Sequence, residues 1–113
     1  MSDTRFTVEN RPDEQRYVLI DHEAADAVIG EEAYVDVDDD RVLFHTLVSD
    51  DYGGQGLASR LVTEVVDDLI AQGKHLVPVC PYVKAWLPKH HEYDEHVVQP
   101  TRAHLQAVRD RTR

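Results

Sequence analysis

A chain of 113 residues with a formal charge of −10 at pH 7 has the size of one domain, and a single domain over 1–113 is expected to bury about two-thirds of its unfolded surface. The acidity argues against nucleic acid, whose phosphates are held by clustered Lys and Arg. One cysteine excludes an internal disulfide, no stretch is apolar enough to cross a bilayer, and Met1-Ser2-Asp3-Thr4 opens no signal-peptide core, so a cytoplasmic protein away from membranes is expected.

Phe6-Thr7-Val8-Glu9-Asn10 alternates apolar and polar residues, as a half-buried first strand does. Arg11-Pro12-Asp13-Glu14 is turn chemistry, and Tyr17-Val18-Leu19-Ile20 is a second strand. The third runs from Val28 to Val37, with Ile29, Glu31, Ala33, Val35 and Val37 expected on one face. Asp38-Asp39-Asp40 closes a hairpin into a fourth strand, Val42 to Val48, so an antiparallel meander is the economical topology. Ser49-Asp50-Asp51-Tyr52 and Gly53-Gly54-Gln55-Gly56 lead into an amphipathic helix whose stripe is Leu57, Leu61, Val62, Val65, Val66, Leu69 and Ile70. Gly73 stops that helix. A fifth strand, His75 to Cys80, should return parallel to the fourth, paired on one side only at Pro78. Pro81 suits a helix start with Val83, Trp86 and Leu87 buried, and Pro100 to Arg111 a last helix carrying Ala103, Leu105, Ala107 and Val108. The fold class is α/β: one twisted mixed sheet, mostly antiparallel, with helices on both faces.

Strand, glycine-rich turn, helix is an arrangement in which free amides at a helix N-terminus meet an anionic ligand. At Gly53 to Ala58 the chain resembles the GNAT superfamily of acetyl-CoA-dependent N-acetyltransferases, whose frame is Arg/Gln, any, any, Gly, any, Gly/Ala. Gly56 and Ala58 match it, while Gly53 replaces the Arg or Gln. His45-Thr46 before it, and Val77 to Val83 and His90-His91-Glu92-Tyr93 after it, make the chain similar to a compact branch that lacks the usual N-terminal helical insertion. His91 stands where that branch has proline.

The resemblance implies that the fourth and fifth strands splay around acetyl-CoA. Leu47 and Val48 would pair with the pantetheine arm, and Gly53, Gly54, Gln55, Gly56, Leu57, Ala58 and Ser59 would hold the pyrophosphate, with the thioester aimed at Cys80. Arg60, one turn into the helix, would offset the acidic field that opposes an anionic cofactor. The acceptor implied is a primary amine of unread identity, and a monomer or weak homodimer is the expected state.

Such a reaction needs a proton removed from an amine that is under roughly 0.1% neutral at pH 7. It also needs a donor for the thioester oxygen and a proton for the departing thiolate. Cys80, just before a helix start, is a candidate nucleophile or acid; the plainer alternative is a small buried residue. His45 is a candidate base, weighed equally against a histidine satisfied by a carbonyl. Tyr82 is a candidate donor to the leaving thiolate, with His90, His91 and Tyr93 also toward the acceptor side. Asp50 and Asp51 are expected to cap the helix or hold a loop amide. Cys80, His90, His91, Glu92 and His96 match no zinc spacing, so no metal is expected. No Gly-Lys-Ser/Thr follows the glycines, which excludes a P-loop. The alternatives to an enzyme are an acyl-CoA-binding sensor with little turnover and, further off, an interaction domain without cofactor.

Overall fold

The computed structural model describes residues 5–112, so the expectation for Met1 to Thr4 falls outside the described residues. Strands β1 (Phe6–Arg11), β2 (Arg16–Asp21), β3 (Ala27–Val37) and β4 (Asp40–Val48) form the expected meander. Helix α1 (Leu57–Ala71) then crosses to β5 (His75–Pro78), which closes a five-stranded sheet in the order β1-β2-β3-β4-β5. Of the four strand pairs, β4–β5 is parallel and the other three are antiparallel. Short helix α2 (Pro81–Trp86), two 3-10 turns and helix α3 (Arg102–Thr112) complete the chain.

The stripe on α1 packs as its spacing dictates. Leu57, Leu61, Val62, Val65, Val66 and Leu69 are buried against Tyr17, Leu19, Tyr34, Leu43 and Leu76 of the sheet, with Val83 and Trp86 of α2 in the same cluster. Gly73, at φ 76°, ends α1 with the paired bonds of a Schellman turn: its own N–H donates to Ile70 O, and Lys74 N–H to Leu69 O. On the other face Val18, Ala33, Val42 and Val77 are buried outside that cluster, where α3 packs over β3 and β4. Its buried residue is His104, which receives the Thr101 N–H on Nδ1 and meets Asp40 Oδ2 through Nε2 (2.9 Å). Leu105, expected to pack, is 39% exposed, because the polar anchor at His104 sets the helix's rotation.

Two bulges break the alternation that a flat reading of β3 assumes. Leu19 faces Gly30 and Ile20 faces Val28, so Ile29 is an extra residue and joins the α1-side cluster with Leu19 and Tyr34. Ala33 faces His45 and Tyr34 faces Leu43, which leaves Phe44 as the extra residue of β4. The fifth strand also ends earlier than its apolar run. Val79 and Cys80 both donate their N–H to the carbonyl of Leu43, at 3.0 and 2.9 Å, so the ladder stops at Pro78. Pro78 pairs with Leu43 of β4, as expected of a proline in an edge strand. Leu61, fully buried at the centre of α1, tests this core: Leu61→Ala should lower unfolding free energy by about 2–5 kcal/mol in a denaturant titration.

Candidate active site

Beyond Leu43, β4 runs on to Val48 without β5 beside it. The bulge at Phe44 and the doubly used Leu43 carbonyl together open the sheet at this point. At the far end of β4, Ser49 Oγ accepts the Asp51 N–H and starts a 3-10 turn, Asp50–Tyr52. Tyr52 anchors that turn: its hydroxyl donates to Asp21 Oδ2 (2.5 Å), and its ring meets Phe6 edge-on. Bonds from Arg5, then from Tyr52, hold the Asp21 carboxyl down at about 2. Asp50 and Asp51 therefore belong to this turn, and the residue at the start of α1 is Gly56.

Gly54 (φ 81°) and Gly56 (φ 70°) take the left-handed conformation that glycine adopts without strain. No side chain caps α1. Gly53 differs, with an ordinary φ of −60°. A Cβ added there would meet only Asp50 O, at 3.5 Å. The loop borders a cleft of ≈ 220 Å³ lined by Val48, Gly53, Gly54, Gly56, Ser59 and Tyr82, among others. Arg60 points elsewhere, its Nη2 donating to Phe6 O and its Nε to Glu64.

The candidate chemical residues divide between the two faces of the sheet. Cys80 is buried at the start of α2, its Sγ 3.0 Å from Thr46 Oγ1 across the open strands. Tyr82 lines the glycine-loop cleft; burial raises its phenol, against the pull of Ser59. His45 lies on the opposite face from Thr46, exposed, with Nε2 3.8 Å from Glu31 Oε2. That side carries a second cleft, ≈ 440 Å³, between Arg16, Val28, Gly30, Glu31 and Leu47. His90 stacks on Trp86 (centroids 4.0 Å apart), Tyr93 donates to Asp67, and His91 pairs with Asp94 on the surface, so these three are not gathered at Cys80.

Glu32 is the residue that periodicity missed. It is fully buried opposite Thr46, whose hydroxyl donates to its Oε1 (2.5 Å); its Oε2 has no hydrogen-bond partner among the described residues. Burial pushes its pKa up to about 8. Thr46 and the His45 amide pull it down, and the Glu31 charge pushes the same way as burial. In the sequence Glu32 is one of two adjacent acids in a strand, and only the cross-strand register shows which is inside.

The sequence model of the GCN5-related N-acetyl-transferases matches residues 16–97. The chain belongs to that family. A GCN5-like protein from Staphylococcus aureus, solved in solution, is similar in structure (TM-score 0.63, 24% identity, 90% of this chain and 97% of that one covered). The ribosomal-protein-S18-alanine N-acetyltransferase of Escherichia coli is a more distant likeness, at TM-score 0.48 and 22% identity over 66% of this chain and 42% of that one. No curated protein matches in sequence. The mixed sheet with its parallel β4–β5 pair is the family's fold, and the chain is an acyltransferase by family.

A buried acid raised to about 8 has a stability signature. Between the ordinary glutamate value of 4.5 and about 8, the unfolded chain has lost the proton that the folded one keeps, so stability falls as pH rises across this window. Glu32→Gln removes that slope. Thermal melts should show the variant gaining on the parent from pH 5 to pH 9 (roughly one unit beyond the window,).

Proposed function

We propose that the protein transfers an acetyl group from acetyl-CoA to a primary amine. The observation that carries this is the continuity of two features: an opened β4–β5 gap and an uncapped helix start at Gly56, joined by the cleft that Val48 and Tyr82 share. Leu47 and Val48 would pair with the pantetheine arm, and the amides from Gly53 to Ser59 would hold the pyrophosphate. The thioester would then lie between the strands beside Cys80 and Thr46. Tyr82 would supply a proton to the departing thiolate, and His45 would take one from the amine on the other face, next to Glu31. An acidic protein favours a cationic acceptor. Transfer runs by direct attack in a ternary complex or through Cys80.

Calorimetry with acetyl-CoA should show binding, and Gly56→Glu should abolish it by setting a carboxylate against phosphate. Release of CoA on addition of amines then separates an enzyme from its alternative, a sensor that binds acyl-CoA with little turnover. Binding without release across peptides, polyamines and small amines favours the sensor; no binding at all removes both.

Position 53 offers a gain-of-function check. Its backbone is ordinary and the space beside it open, so Gly53→Arg adds the family's phosphate-facing cation without strain. Acetyl-CoA affinity should rise about three- to tenfold at low salt, in the range of one charge-assisted bond, and the gain should shrink as salt is added.

A further inference from the structure

Glu32, Thr46 and Cys80 form an unbroken line of polar atoms: Glu32 Oε1 to Thr46 Oγ1 at 2.5 Å, and Thr46 Oγ1 to Cys80 Sγ at 3.0 Å. The line begins at a carboxyl with no solvent exposure and ends at a buried thiol at the start of α2, just past the last β4–β5 pair. A carboxylate with one oxygen unpartnered is an expensive thing to bury, and an isosteric amide or an apolar residue would serve packing better. Among the described residues no cation acts on it. The charged neighbour acting on it is Glu31, of like sign, and Tyr17, opposite it on β2, has its hydroxyl committed to Asp68 and Arg41. His45 presents its amide to this side while its ring lies on the other face with Glu31. On α2 the titratable group nearest in sequence to Cys80 is Tyr82, which turns to Ser59.

We propose that Glu32 is the proton store of Cys80, exchanging a proton with its thiol through the Thr46 hydroxyl. With Glu32 ionised, the thiol proton passes to Thr46 Oγ1 as the Thr46 proton passes to Glu32 Oε1. A thiol and a carboxylate thus become a thiolate and a carboxylic acid, and no charge is created. In the route through Cys80, the sulfur lone pair bonds the thioester carbonyl carbon and the bond to the CoA sulfur breaks. In this route the departing thiolate takes the Thr46 proton, which Glu32 replaces, and the proton from Tyr82 serves direct attack alone. Glu32 never meets the reacting atoms, so it is a positioning residue. The covalent step rests on the acetyltransferase reading; the proton sharing does not.

Cys80 is the sole cysteine, so ultraviolet absorbance of the thiolate reports it alone. The phenol groups of all five tyrosines are shifted upward and stay silent below pH about 10. In the parent chain the thiolate should appear in two steps, because two acids share one site. Glu32→Gln and Thr46→Val should each lose the lower step, leaving about tenfold less thiolate at neutral pH, one unit of displacement. Thr46→Ser should restore it, and thermal melts identify any variant that is not folded. A single step in the parent, or identical curves in all variants, would overturn the proposal. So would a change in Glu32→Gln that Thr46→Val does not share, since the acid would then act by charge alone. Acetyl-CoA titration of the same samples keeps the outcomes apart: lost binding in the parent sinks the transferase reading and leaves the titration result standing.

Discussion

One carbonyl oxygen, that of Leu43, accepts two amides, from Val79 and Cys80. A parallel pair normally continues by giving successive amides to successive carbonyls. Here both amides are used on one acceptor, so β5 cannot advance along β4, and Pro81 turns the chain at once into α2. On the other side of β4 the extra residue Phe44 shifts the register against β3, so that Thr46 faces Glu32. The gap, the contact of Cys80 with Thr46 and the buried acid behind Thr46 all descend from these two local irregularities. Each is held in place by the fully buried Leu43 side chain, which locks β4 onto α1.

The electrostatics follow a similar division. A chain of net charge −10 repels an anionic cofactor at long range, so attraction has to be short-ranged and local. On the proposed reading the start of α1 supplies this, with backbone dipoles that no side chain caps. The preceding turn is shaped by the Ser49 hydroxyl and by backbone groups of Asp50 and Asp51, and Asp21 is consumed by Arg5 and Tyr52 in fastening that turn to β2. Arg60, which charge alone would assign to phosphate, is spent on β1 and Glu64.

Much of this was legible in the residues. The meander, the parallel return through α1, the α1 stripe and the glycine corner all follow from local periodicity and turn chemistry, which one strand or helix carries by itself. What was not legible depends on register between strands. Period-two alternation put Ile29 with Ala33 and set Glu31 and Glu32 on opposite faces without showing which acid is inside, yet a one-residue bulge puts Ile29 in the core. Alternation along β4 separates His45 from Thr46 in the sequence itself, but that Cys80 meets Thr46 depends on where β5 stops. The apolar residues of the last helix gave no sign of its anchor, which is His104 through Asp40, a partner 64 residues away.

The central claim is that the cofactor enters where β4 leaves β5. Backbone amide shifts recorded by NMR during titration with acetyl-CoA address it directly, since they report position without requiring turnover. The account predicts the largest changes at Gly53 to Ser59, at Leu47 and Val48, and at Cys80. Changes gathered instead around Arg16, Val28 and Glu31, with the glycine corner silent, would contradict it.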